Sequence, residues 1–301
     1  MRHIDTGSLY RVNNREAFQS MSKLSSNNGV VVTDVRLIKS LPPFPLLAQI
    51  LKSFSRAENS ADIRPLVSNI ESEPSVAAKV LAVANSAYFH TKEPIVSVRE
   101  AVSRLGMSQV KKIVFGLVAS MPFKTKNCPA FVPAKFWHDA MLIAHCASFL
   151  ADRVPGHALK RDELYCIGLM RSIGLLALVH LMPTEMNAIL GESTDETLVE
   201  NEMSLFDGKG HVEFGAALLQ YWGLPEEYVV AIANQANTQY RGNYWPIAIT
   251  LNLAAQLSKS DFTAYDESLL ELLNLSAQDI QEVEGEYRSQ IKWIESFAAH
   301  L

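Results

Sequence analysis

Glu163–Pro183 reads ELYCIGLMRSIGLLALVHLMP, a nearly unbroken apolar run with Arg171-Ser172 at its middle. It could be a membrane span or a buried helix. An arginine at the centre of a span costs roughly 2.5–3.5 kcal/mol on insertion scales, and His180 adds polarity near the end. The stretch is therefore read as one long core helix at the centre of a helical protein, and the flanking sequence must supply the layers that bury it.

Outward from this run the apolar residues keep helical spacing. Upstream, Leu142, Cys146 and Phe149 share one face behind Phe136-Trp137-His138. Downstream comes a polar helix over Thr194–Phe206, then Gly208 and Gly210 break the chain before His211. Val212, Ala216 and Leu219 form a stripe. Gly223-Leu224-Pro225 ends that helix and starts another, with Tyr228, Val229 and Ile232 inward, and Tyr244–Leu257 is a further apolar helix. The N-terminal half repeats the pattern: Leu47, Ile50, Leu51, Phe54; Ile63, Leu66, Val67, Ile70; Val76, Val80, Val83 behind Pro74 at a first helical position. Ser97 with Glu100 makes a capping box, Gly106 a C-terminal cap, and Val110, Ile113, Val114 and Leu117 follow.

The expected fold is all-α, with lobes at about 41–120 and 133–258 separated by a proline-rich loop over 122–133 and the Arg171 helix central. Residues 1–40 read as an N-terminal extension, with Val30-Val31-Val32 a short extended piece. Residues 259–301 read as a helical tail that starts at the cap Ser276–Asp279. In that tail Ile280, Tyr287, Ile291 and Ile294 lie near heptad spacing, with Glu284 on the seam. About three heptads are too few for a coiled coil, so docking on the body is preferred to a homodimer through the tail.

The chain has 301 residues, 48% of them hydrophobic, and a formal charge of −5. That length buries a core without disulfides, and the charge speaks against a broad nucleic-acid surface. Cys128, Cys146 and Cys166 lack C-x-x-C spacing and fit a reducing cytoplasm as core residues. The first residues carry no apolar run of the signal-peptide kind. No G-x-S-x-G, Walker or H-E-x-x-H pattern is present.

Several motifs carry a resemblance. Gly168–Leu176 keeps the frame of the second motif of HD-type metal phosphohydrolases, G-L-L-H-D-I-G-K-L, with Arg171-Ser172 in place of the His-Asp pair and Leu175 in place of lysine. Leu41-Pro42-Pro43-Phe44-Pro45, Ile70–Leu81, Ala84-Asn85-Ser86-Ala87-Tyr88-Phe89 and Ile95–Gly106 resemble, in order and spacing, the HDOD family over roughly residues 41–237. That resemblance implies an all-helical bacterial signalling protein related to HD phosphohydrolases that usually lacks their catalytic ligands. Carried over one by one, the metal positions fall on His138, Arg171-Ser172, His211, Asn234-Gln235-Ala236 and, for the final aspartate, near Ala255. His145 lies about 10 Å along the helix from His138 and cannot share an ion with it. Two candidate ligands survive, His138 and His211, whereas a catalytic metal needs three and an open position.

The expected protein is therefore a non-catalytic regulator acting through protein partners, with no cofactor and no membrane or nucleic-acid role. His138 and His211 read as polar core or cleft histidines. Arg171 reads as a structural ion pair or hydrogen-bond hub, or alternatively as the anchor of a small anionic ligand in a groove between the lobes. Asn85-Ser86 reads as a cap or turn, and Lys111-Lys112 with Lys124 and Lys126 as a solvated face. A divergent phosphohydrolase or nucleotide-binding enzyme and a nucleic-acid-binding regulator are the alternatives.

Overall fold

The apolar periodicity becomes helices in a computed structural model that describes residues 35–41, 49–50, 53–54, 62–86, 88–89, 93–194, 197–206 and 208–298. Among them no strand occurs. The expected extended piece at 30–32 and the prolines at 42–45 lie outside the described residues.

The helices are α1 (Val35–Ser40), α2 (Arg64–Glu71), α3 (Pro74–Ala84), α4 (Val98–Leu105), α5 (Met107–Ser120), α6 (Pro133–Ala151), α7 (Arg161–Leu169), α8 (Ile173–Leu181), α9 (Pro183–Glu192), α10 (Leu198–Leu205), α11 (His211–Tyr221), α12 (Glu226–Ala233), α13 (Trp245–Lys259), α14 (Ser268–Leu273) and α15 (Ala277–Ala298). The predicted caps form: the Ser97 hydroxyl accepts the Glu100 N–H at 3.1 Å, and Ser276 and Asp279 exchange bonds across the start of α15. Gly106, at φ 83°, ends α4 and opens α5. Asn85 staples the approach to α4 through two bonds with the Ile95 backbone, at 2.7 and 2.8 Å, which is the turn role expected of it.

In the first half α3 packs on α2, α4 and α5, and α5 carries this group onto α7. In the second half the hub is α6, against which α7, α13 and α15 all pack. The Arg171 segment is central as expected, since α7 packs on α5, α6, α12 and α13, and it shares the middle with α6, whose alanines and aromatics are buried nearly all round.

The expected single long helix over Glu163–Pro183 is also corrected. It is two helices, α7 and α8, broken at Met170-Arg171-Ser172, where i→i−3 bonds tighten the chain: Arg171 N–H to Gly168 C=O at 3.2 Å and Ile173 N–H to Met170 C=O at 3.0 Å. Each half obeys a different partner. On α7, Gly168 lies so close to α6 that a Cβ there would sit 2.7 Å from the Ala144 Cα. On α8, a Cβ at Gly174 would overlap the His211 carbonyl oxygen and lie 2.5 Å from the Gly215 nitrogen of α11. Arg161–Leu181 is long and apolar enough for a span, but most of it is buried inside the protein.

The tail docks. Val283, Tyr287, Trp293, Ile294 and Phe297 of α15 are buried, and Glu286 accepts from both Arg153 and Arg161 at the ends of α6 and α7. The Ile280–Ile294 stripe is thus largely occupied within the chain, and Glu284 pairs outward with Arg288 at 2.7 Å. The expected solvated face of lysines is half corrected: Lys124 and Lys126 are exposed, but Lys111 is 7% exposed and 3.6 Å from Asp162, and Lys112 lies 5.1 Å over the Tyr165 ring. Both sit in the seam where α5 meets α7, and their long stems supply apolar packing there. The three cysteines are free and buried, and burial pushes the Cys146 and Cys166 thiols up to about 12.

His145 of α6 is sealed between Tyr165, Phe149 and Trp293, with ring centroids 5.0, 5.7 and 5.2 Å away. Burial, and then the nearby Lys112 and Arg161 charges, push its pKa well below the ordinary value. The folded protein therefore keeps the ring neutral while the unfolded chain takes up a proton near pH 6.5. Stability is fully present above that pH and falls as pH drops toward the depressed folded value. Urea titrations from pH 7.5 down to 5 are expected to show a loss of stability that is reduced in His145→Phe; equal slopes in the two proteins would refute it.

Candidate functional site

The break between α7 and α8 opens a cavity of about 570 Å³. Its walls are the α6 face carrying Lys135, Phe136, Asp139, Ala140 and Ile143, the turn residues Arg171 and Ser172, and Leu175. Leu190, Ser193, Thr194, Leu198 and Val199, His211 at the start of α11, and Ala255, Ser258 and Lys259 of α13 add to it. All of these residues lie between 130 and 259, so the cavity that holds Arg171 is built by the second half and its linking loop, while a smaller cavity, lined by Ser108, Gln109, Lys112, Phe149 and Arg161, lies between the lobes.

Four of the expected site positions, Arg171, Ser172, His211 and Ala255, meet on this cleft. His138 does not line it. One residue further along α6 turns the side chain by about 100°, and that residue, Asp139, does. Asp139 is held by Lys135 at 2.8 Å, with His138 Nδ1 3.3 Å from its other oxygen. The motif frame Phe-Trp-His pointed to His138, whereas the cleft-facing spacing Phe136, Asp139, Ala140, Ile143 was present in the sequence and identifies the right face.

His211 is oriented from behind. Glu202 of α10 is fully buried, and its Oε2 lies 2.7 Å from His211 Nδ1 and accepts the His211 backbone N–H at 2.9 Å. With Nδ1 engaged by Glu202, the free edge of the ring is Nε2. Glu202 was missed in the sequence because nothing in the polar helix marks one acid among several as buried.

Where the resemblance places a His-His pair, an amide network stands. Gln235, 1% exposed, donates to the Arg171 carbonyl at 3.0 Å. Asn252 donates to the Gln235 carbonyl, and Gln256 to Asn252. These amides fix the backbone of the turn and carry no charge to offer a cation. Arg171 itself has no carboxylate partner among the described residues. Its Nε is buried without a hydrogen-bond partner, and burial lowers the guanidinium to about 10. Of Arg171, the backbone carbonyl accepts one bond from Gln235, while its Nε has no hydrogen-bond partner and no ion pair of its guanidinium occurs among the described residues.

The donor set does not fit a catalytic metal. Among the described residues no three His, Cys, Asp or Glu side chains converge, and Arg171 brings a fixed positive charge to the cleft wall. What the cleft offers is an excess of positive charge: Lys135, Arg171 and Lys259 against one lining carboxylate, Asp139, in a chain whose formal charge is −5.

Comparisons with known proteins agree with the fold. A signal transduction protein, so named provisionally, from Marinobacter aquaeolei VT8 superposes with a TM-score of 0.76 at 25% identity, covering 95% of this chain and 64% of its own. A provisionally named phosphohydrolase from Shewanella amazonensis SB2B, at 21% identity and TM-score 0.67, covers 89% of this chain and 97% of its own. An HDOD domain protein from Geobacter sulfurreducens, at 18% identity and TM-score 0.63, covers 94% and 95%; these last two show the fold alone. An uncharacterized protein of Treponema pallidum (strain Nichols) is 26% identical over 215 residues, 70% of this chain and 41% of that protein. The chain therefore spans less than two thirds of its Marinobacter and Treponema relatives. The HDOD domain model matches residues 41–238, so this chain, all-α and with α7 and α8 broken at the Arg171 turn, belongs to the HDOD domain family.

Proposed function

We propose that the protein is a non-hydrolytic regulator of bacterial signal transduction that works in the cytoplasm by contacting other proteins, with the cleft as a small-anion site that tunes those contacts. The observation that carries this reading is Arg171: a guanidinium without a carboxylate partner among the described residues, facing the cleft at the position where a related phosphohydrolase would need a His-Asp pair. Membership of the HDOD family and the 25% identity to a relative named for signal transduction support it.

The test is hydrolysis. Purified protein supplied in turn with Mg, Mn, Fe and Zn is expected to leave phosphate monoesters and cyclic dinucleotides intact. Arg171→His with Ser172→Asp is expected to remain inactive, because Asn234, Gln235 and Ala255 still supply no suitable ligand. Turnover by the wild-type protein would refute the reading.

A further inference from the structure

The cleft is not uniformly polar. Beyond its three cations it is walled by Phe131, Phe136, Leu142, Leu175, Leu190 and Leu198. A volume of about 570 Å³ is that of a small-molecule site rather than an ion pocket. Among the polar groups of the cleft, Arg171 and Ser172 on the turn are brought beside His211, since α8 and α11 touch backbone to backbone at Gly174 and Gly215. Arg171 is a planar fork suited to two oxygens at once, and a desolvated cation gains most from an opposite charge that enters the same low-dielectric space. His211 presents Nε2 because Glu202 holds Nδ1.

We propose that the cleft binds a small organic oxyanion, a carboxylate or phosphate carried on an apolar body, with its head on Arg171 and His211 and its body against the Phe136, Leu190 and Leu198 wall. This rests on the non-hydrolytic reading above and adds the ligand class. Inorganic phosphate fits the head alone and leaves the apolar wall wet. Burying a six-carbon ring there favours the organic ligand by at least about tenfold, the equivalent of about 1.4 kcal/mol.

The test is calorimetric titration of the full chain with inorganic phosphate, phenyl phosphate, benzoate and benzyl alcohol. Phenyl phosphate or benzoate is expected to bind at least about tenfold more tightly than inorganic phosphate, and benzyl alcohol, with no charge for Arg171, not measurably. Arg171→Met is expected to lose the aromatic anion, and Leu198→Asn to reduce its affinity to that of inorganic phosphate. Should Arg171→Met not fold, Arg171→Lys keeps the charge without the fork and is expected to weaken binding severalfold. Equal affinity for inorganic phosphate and both aromatic anions, no binding of any anion, or unchanged binding in the folded arginine variants would overturn the proposal. Release of phosphate from phenyl phosphate would instead overturn the non-hydrolytic reading itself, whereas absence of both binding and hydrolysis would overturn the anion site and the ligand proposal and leave the non-hydrolytic reading standing.

Discussion

Gly174→Ala is expected to cost about 3 kcal/mol or more, at the upper end of what overpacking does. The added methyl would overlap the His211 carbonyl oxygen and press on the Gly215 nitrogen. Both are backbone atoms in the first turns of α11, so no side chain can swing away. Relief requires separating α8 from α11, which also draws the Arg171 turn away from His211 and deforms the cleft. The matched control has the opposite sign. Gly285, in the interior of α15, is exposed and meets nothing within 4 Å of an added Cβ, so Gly285→Ala is expected to stabilise by about 0.5–1 kcal/mol through helix propensity. Denaturant titration of the three proteins checks both; a Gly174→Ala loss smaller than about 1 kcal/mol would contradict the close approach of the two helices.

Trp293→Ala carries the other large effect, about 3–5 kcal/mol for a buried tryptophan. Its ring is 1% exposed, 5.2 Å from His145 and 5.1 Å from Phe297. Truncation removes the lid of the histidine as well as its packing. Where the variant still folds, water reaches His145 and its pKa should move up toward the ordinary value, because burial is the leading cause of its depression. Chemical shifts of the His145 ring followed against pH measure this directly. A tail that merely hung from the body would show neither the loss of stability nor the shift.

Much of the fold was legible in local signals: caps at Ser97 and Ser276, the stop at Gly106, Pro74 at a first turn, and apolar stripes that became buried faces. The break at Met170-Arg171-Ser172 was not. None of these three residues is a proline or glycine, and methionine and arginine favour helix. The break is imposed by tertiary packing, since Gly168 must reach Ala144 while Gly174 reaches His211 in another direction. The tail's docking was visible in its stripe, but its partner α6 was not, because a helix buried all round shows no dominant face in sequence.

The candidate site was legible by position and misjudged in detail. Motif alignment found Arg171, Ser172, His211 and Ala255, and the structure brings them together. It missed Asp139 by one residue, which on a helix is a different face. It placed Gln235 only as a replaced metal position, and it missed Glu202 and Asn252, because hydrogen-bond partners far apart in sequence leave no local trace. Lys111 and Lys112 read as surface because lysines usually are, and only the arrival of α7 above them makes them part of a seam.

The central claim is that a fixed cation and neutral amides occupy the place where metal donors would be needed. The most direct measurement is the metal content of the full chain, purified without chelator from cells grown with added Mn, Fe and Zn and then dialysed. The account predicts far less than one equivalent of any of these metals, unchanged in His211→Ala. About one equivalent of metal, lost in His211→Ala while the fold persists, would contradict it.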